Sequence, residues 1–274
     1  MALFQRPDAA LALHAWIPAQ PRAVVFYIHG TQSHVGWLFE TGPALAAAGT
    51  AVFALDRRGS GESEGTRGDI TGFDVWREDY LAAMAHVRER YPTSPMLLVG
   101  QSFGGAIAVE LACDDRASHD ALLLCSPLLA PKVNYDLWRG VADDHPVAIP
   151  TPDEWFCTRT EYLAFMKRDA LRVGALTSRF HKARVDMAAH YLALPAPLAN
   201  RPAALVLPRR DKIVDVTSTR EAFAGLAGQT GLVVELPTDD HYLEFSTAQH
   251  TLWALQAAFA TSAGFARQGT DART

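Results

Sequence analysis

The chain has 274 residues, 49% of them hydrophobic and 20% charged, which suits one sizeable domain with a buried core and excludes disorder. The formal net charge of −5, with no long basic run, argues against nucleic acid as a partner. Asp8, His14 and Pro18 interrupt the early residues, and no run approaches the ~18 apolar residues of a membrane span, so neither a leader nor stable membrane insertion is expected.

In chain order, Leu11 to Ile17 alternates in polarity and predicts an early edge or antiparallel strand. Ala23 to Ile28 is an unbroken apolar run, the pattern of a strand buried on both faces. A helical pattern follows from Trp37 to Ala48, then a second buried-strand run from Ala51 to Leu55 and a helix from Phe73 to Tyr91. Met96 to Val99 predicts a strand, Phe103 to Asp114 a helix and Ala121 to Leu124 another strand. Strand runs at Ala203 to Leu207 and Leu232 to Leu236 alternate with helical patterns at Ser218 to Ala227 and Thr247 to Ala260. This β-α-β alternation predicts an α/β fold with a mostly parallel sheet flanked by helices.

One stretch breaks the alternation. From about Pro127 to Leu198 there are helical patterns and no convincing strand, which predicts a helical cap inserted into the core rather than a second domain following it. The expected division is a core of residues 1–126 and 199–274 with a cap of 127–198. Thr151-Pro152-Asp153-Glu154 and Thr158-Arg159-Thr160-Glu161 resemble capping boxes, each predicting a short helix. The cap aromatics Tyr135, Trp138, Trp155, Phe156, Tyr162, Phe165 and Phe180 fit either a pocket lining or simple packing of cap on core. Interspersed charges, Asp136, Arg139, Asp153, Arg159, Lys167, Arg168, Arg179 and Lys182 among them, leave no clean apolar face for docking on a membrane.

Chemistry is concentrated at Gly100-Gln101-Ser102-Phe103-Gly104-Gly105, between a strand and a helix. A strand turning sharply into a helix puts one residue in a strained backbone with its side chain above the sheet edge, and that residue is Ser102. A serine hydroxyl needs a base to take its proton and an acid to orient the base. His241 follows a late strand, in the short loop Pro237 to Tyr242, where the carboxyl ends of parallel strands converge. His181 and His190 lie in the cap and His250 in the last helix, all poorer positions. The acid belongs after an intervening strand, where Asp211 is favoured and Asp215 is its nearest competitor. Backbone N–H groups of Thr31 and Phe103 are the expected oxyanion donors, with His29 a buried structural histidine in the same turn.

Other patterns carry blander readings. Gly59 to Gly65 fails the G-x-G-x-x-G spacing and holds two glutamates, so it reads as a turn rather than a phosphate loop. No H-E-x-x-H or Cys/His cluster is present, so no metal and no cofactor are expected. Cys113, Cys125 and Cys157 lack C-x-x-C spacing and read as reduced, structural thiols, in keeping with a cytoplasmic protein.

Through His29-Gly30, the run Asp56 to Gly65, the elbow Gly100 to Gly105, Ser126-Pro127, Asp211 and His241, the chain resembles α/β-hydrolase fold serine hydrolases, within them the monoacylglycerol lipase and lysophospholipase group. The resemblance implies a Ser102, Asp211 and His241 triad with the amides of Thr31 and Phe103 as oxyanion hole. The chain departs from that group at Gln101 and Phe103, where histidine and methionine are common, and at Arg209-Arg210 before the acid. The expected function is hydrolysis of a carboxylic ester or thioester through a Ser102 acyl-enzyme, the partner being a small-molecule acyl substrate. An acyltransferase or cyclase using the same acyl-enzyme is the first alternative, and a non-catalytic small-ligand receptor on the same fold is the second. As the resemblance implies, epoxide hydrolase and haloalkane dehalogenase chemistries on this fold use an aspartate at the elbow, so Ser102 there argues against both.

Overall fold

The structure is a computed structural model and describes residues 1–132, 138, 140–199, 201–228 and 231–271. Strands β1 (Ala2–Arg6) and β2 (Ala9–Trp16) form an antiparallel hairpin. They lead to β3 (Ala23–Ile28), helix α1 (Thr41–Ala47), β4 (Thr50–Leu55), α2 (Phe73–Arg90), β5 (Met96–Gln101), α3 (Phe103–Ala112) and β6 (Ala121–Cys125). Next come β7 (Pro146–Ala148), α4 (Thr160–Arg168), β8 (Ala175–Thr177) and α5 (Ser178–Leu192). The chain closes with β9 (Ala203–Pro208), α6 (Val216–Ala227), β10 (Leu232–Leu236) and α7 (Gln249–Asp271).

Eight strands make one sheet in the order β1-β2-β4-β3-β5-β6-β9-β10, antiparallel at β1, β2 and β4 and parallel from β4 through β10. Because side chains alternate across a strand, the central strands feed two cores. Val24, Phe26, Ile28, Leu98 and Leu124 face one side with residues of α2, α3 and α5, while Val25, Tyr27, Val52, Val99 and Leu123 face the other with α1 and α7. Strands buried on both faces leave no polar positions, which is why their sequences read as continuous apolar runs.

The strand expected from Leu11 to Ile17 is β2, antiparallel to both β1 and β4 as expected, with β1, a short mixed segment, the edge beside it. Two expectations are corrected. The run Leu232 to Leu236 is not buried on both faces: β10 is the edge strand, and Leu232 and Val233 are 52% and 41% exposed. The stretch 127–198 is not purely helical, since β7 and β8 pair antiparallel through Pro146–Thr177, Val147–Leu176 and Ala148–Ala175. A short helical element follows each capping-box candidate, as expected, but without the expected cap. Asp153–Trp155 is a single 3-10 turn, α4 starts at Thr160 after Arg159, and neither start has a side-chain cap. Tyr135, Asp136 and Arg139 lie outside the described residues. Among the described residues, no helix is long and apolar enough to cross a membrane.

Candidate active site

β5 delivers Ser102 to the sheet's carboxyl edge and α3 begins at the next residue. Ser102 takes φ 53° and ψ −120°, a region that an L-residue adopts only under constraint. Its N–H donates to the Cys125 carbonyl at 2.9 Å, and its carbonyl accepts from Gly105 at 2.9 Å and Leu128 at 2.8 Å. The flanking glycines follow from crowding. A Cβ on Gly104 would collide with the carbonyl of Ile28, and one on Gly100 would come 2.7 Å from the Gly105 Cα.

The loop after β10 brings His241 over this turn. His241 Nε2 lies 2.8 Å from Ser102 Oγ, and its Nδ1 lies 2.7 Å from Asp211 Oδ2. All three are buried, His241 completely. Asp211 follows β9, and its second oxygen accepts from the amides of Ile213 at 2.7 Å and Val214 at 3.1 Å, which fixes the carboxylate rotamer. Of the two candidate acids, Asp215 is elsewhere: it caps α6 by accepting from Ser218 N–H at 2.8 Å. The ring of Phe156 meets His241 edge-on, with centroids 5.8 Å apart, and its carbonyl accepts from Tyr242 N–H at 2.8 Å.

Thr31 lies on the loop after β3, and Phe103 occupies the first turn of α3, where the helix's own carbonyls cannot satisfy its N–H. The buried Arg57 guanidinium braces that loop by donating to the carbonyls of Gly30 at 3.1 Å and Thr31 at 2.8 Å, and it lies 5.2 Å over the Phe103 ring. His29 completes the brace as a neutral imidazole. Its Nε2 accepts from Arg57 N–H at 3.0 Å, so Nδ1 carries the proton, 2.9 Å from Gly30 O. Burial, reinforced by Arg57, pushes its pKa down to about 3. The structural role expected for His29 is the one it has. Arg57 went unassigned in the sequence, because nothing local shows that one of two adjacent arginines turns inward while Arg58 pairs with Asp8 and Asp79.

The segment Asp56 to Gly65 is a turn. Asp56 accepts from the amides of Val35 at 2.6 Å and Glu62 at 2.9 Å, and Gly61, with φ 56°, leaves room for that carboxylate. His14 and Glu62 bring their ligand-type atoms within 4.8 Å of Asp56. The three cysteines are unpaired, and burial raises each thiol to about 12, far from a reactive thiolate.

Ser102 opens into a cavity of about 480 Å³, partly shared with solvent, walled by Thr31, Gln32, Leu128, Trp138, Ile149, Pro150, Thr151, Phe156, Leu176, Arg184 and Ile213. The aromatics of the stretch 127–198 divide between the two expected roles. Trp138 and Phe156 line the cavity, whereas Tyr162 and Phe165 pack on Phe245, and Phe180 packs between Trp76 and Phe103. A second cavity of about 660 Å³, among His119, Arg201 and Cys113, opens at the amino ends of β6 and β9, away from Ser102.

A mostly parallel eight-stranded sheet, helices on both faces and a serine on a strained strand-to-helix turn define the α/β-hydrolase class. The chain belongs to the serine hydrolase family Hydrolase_4, described as serine aminopeptidase, S33, whose model it matches over residues 19–244. It is 38% identical to monoglyceride lipase of Rattus norvegicus over 116 residues, which are 42% of this chain and 38% of that protein. It is 32% identical to monoacylglycerol lipase of Mycolicibacterium smegmatis over 113 residues, 41% of this chain and 40% of that one. The matched stretch thus spans well under half the length of these curated relatives. The fold is similar to a soluble variant of monoglyceride lipase from Saccharomyces cerevisiae, with TM-score 0.84 at 15% identity over 96% of this chain and 94% of that one. It is also similar to the Paleococcus ferrophilus monoacylglycerol lipase, with TM-score 0.79 at 17% identity over 92% and 99%.

Proposed function

We propose that the protein hydrolyses a carboxylic ester or thioester through a covalent acyl-enzyme on Ser102. The observation carrying this reading is the continuous chain Ser102 Oγ, His241 Nε2, His241 Nδ1 and Asp211 Oδ2, with links of 2.8 and 2.7 Å. His241 takes the hydroxyl proton as Oγ forms its bond to the acyl carbon. The carbonyl oxygen then carries the negative charge, which the amides of Thr31 and Phe103 stabilise, each donor contributing on the order of 10²-fold or more in rate. Collapse breaks the bond to the alcohol or thiol, which leaves with the proton from His241. Water activated by the same histidine resolves the acyl-enzyme and restores Ser102. Asp211 keeps His241 in the tautomer with the proton on Nδ1 and stabilises its cation.

Residues 127–198 are the cap in this reading and 1–126 with 199–274 the core. Leu128, Trp138, Phe156, Leu176 and Arg184, all from that stretch, wall the cavity above Ser102 and support the division. The names of the relatives favour a small acyl substrate, and three unpaired cysteines favour the cytoplasm. The test is labelling with a fluorophosphonate probe. Wild type takes the label and Ser102→Ala does not; a label retained by Ser102→Ala removes the assignment.

A further inference from the structure

Away from Ser102, three metal-ligating side chains meet where β2 runs beside the turn that follows β4. His14 Nε2, on β2, lies 3.3 Å from Asp56 Oδ2 and 3.6 Å from Glu62 Oε2, and the three ligand-type atoms fall within 4.8 Å of one another. In a tetrahedral site with bonds of about 2.0–2.1 Å, adjacent ligand atoms stand about 3.3 Å apart. Both distances at Nε2 are close to that edge.

Hydrogen bonding does not account for the arrangement. The Nε2 atom is buried from solvent, yet it makes no well-formed hydrogen bond to either carboxylate beside it. Charge points the same way. The Asp56 side chain is fully buried, and among the described residues neither Asp56 nor Glu62 has a lysine or arginine within ion-pair distance. The two arginines next to Asp56 are engaged elsewhere, Arg57 on the carbonyls of Gly30 and Thr31 and Arg58 on Asp8 and Asp79. Two carboxylates therefore converge on one imidazole, the charge and donor set that suits a dication.

The backbone holds two of the three ligands before any ion arrives. Asp56 Oδ1 accepts from Val35 N–H at 2.6 Å and Oδ2 from Glu62 N–H at 2.9 Å, which fixes the carboxylate. The Asp56 N–H donates to the Ala12 carbonyl at 2.9 Å, and Ser63 Oγ joins the same two residues by donating to Asp56 O at 2.6 Å and accepting from Ala12 N–H at 2.9 Å. His14 is anchored in the sheet, opposite Ala54 of β4. Glu62, with its side chain 47% exposed, is the adjustable ligand and leaves one face of the site open to water. One nitrogen and two carboxylate ligands fit zinc-class ions, whereas calcium takes six to eight oxygens.

We propose that His14, Asp56 and Glu62 bind a divalent cation of the zinc class. The ion fastens β2 to the turn of Asp56 to Gly65 and, through the Asp56 bond to Val35, to the loop that carries Thr31. No contiguous motif announces the set, because His14 stands 42 residues before Asp56 and 48 before Glu62.

Zinc binding to the whole chain, first freed of metal with a chelator, tests this without an ester or a label on Ser102. Calorimetric titration with Zn2+ is expected to show one equivalent bound with a micromolar or tighter Kd. His14→Ala and Glu62→Gln are each expected to weaken that binding by on the order of 10- to 100-fold, since each removes one of three ligands. No binding by wild type, or binding of unchanged strength in either variant, overturns the proposal. Co2+ in place of Zn2+ gives a second readout. Wild type is expected to show the strong visible absorption of four-coordinate cobalt and His14→Ala to lose it, while the weak absorption of a six-coordinate ion in wild type overturns the site. Saturating Zn2+ is also expected to raise the Tm of wild type. Should His14→Ala fold poorly, Glu62→Gln, altered at an exposed side chain, carries both comparisons, and a Zn2+-induced rise in its Tm equal to that of wild type overturns the proposal.

Discussion

At Ser102 the chain holds a backbone conformation costing on the order of 1–3 kcal/mol, and three hydrogen bonds through its own N–H and carbonyl keep it there. The same economy of local geometry separates the two aspartates after β9. Asp211 puts one oxygen on His241 and the other on two amides, while Asp215 spends its side chain on a helix N-terminus. Asp211→Asn is expected to lower kcat by about 10⁴-fold, because the amide favours the wrong imidazole tautomer, with little change in melting temperature. Asp215→Ala is expected to cost about 1 kcal/mol of stability through the lost cap and to leave kcat within about twofold of wild type. Steady-state kinetics with an activated ester, alongside thermal melts, check both, and equal kinetic losses would mean that the assignment of acid and cap is wrong. The elbow was legible in the sequence because Gly100 and Gly104 answer a local demand for space. Arg57 and Arg184 were not, since the direction taken by an arginine depends on what the rest of the fold places around it.

Among the elements, α4 couples the stretch 127–198 to the loop that carries His241. Tyr162 stacks on Phe245 with centroids 4.3 Å apart and planes 3° from parallel, and its hydroxyl donates to Glu40 and lies 3.1 Å from Gln249 Oε1. Trp37, Cys157, Tyr242 and Phe245 complete this cluster. Tyr162→Phe keeps the stack and is expected to cost about 1 kcal/mol for the lost hydrogen bonds. Tyr162→Ala opens a cavity and is expected to cost roughly 3–5 kcal/mol, with a fall in kcat/KM as the loop bearing His241 loses its support. Denaturant titration of both variants measures the difference, and equal destabilisation would refute the stack as the main contribution. The helices α2 and α3 were readable because their periodicity is set within each segment. The small β7–β8 sheet was not, because each of its strands has three residues and gains its partner from a distant part of the chain. The edge position of β10 is hidden for a related reason: an apolar, β-branched run looks alike at an edge and in the middle of a sheet.

At the scale of the whole molecule, buried titratable groups give the stability a worked-out pH dependence. His29 and His119 are pushed down to about 3 and His181 to about 4, all first by burial, so the folded chain refuses protons that the unfolded chain takes up below about 6.5. Their contribution is full above 6.5 and lost as pH falls. Glu244 is the opposite case, since burial raises it from 4.5 to about 8 and the Tyr27 hydroxyl donates to it. The folded chain holds its proton after the unfolded chain has released it, so stability falls as pH rises through that window. Three histidines outweigh one glutamate below 6.5, and the glutamate acts alone above it. Melting temperature is therefore expected to peak near pH 6.5, each unit of displacement at a fully buried group being worth about 1.4 kcal/mol. Glu244→Gln is expected to flatten the descent from pH 6.5 to 8, because the amide has no proton to lose, and an unchanged slope in that variant would exclude Glu244 as its source. By itself the sequence determined the alternation of strands and helices, the place of Ser102 on the strand-to-helix turn, and the chain order of the proposed triad Ser102, Asp211 and His241, because those features depend on local periodicity, glycine placement and chain order. Only the tertiary structure decided which aspartate meets His241, which arginine braces the Thr31 loop, which strand lies at the edge and which side chains line the space beside Ser102. Each of these depends on segments far apart in the chain being packed against one another, and no local pattern records the direction in which a side chain is finally buried.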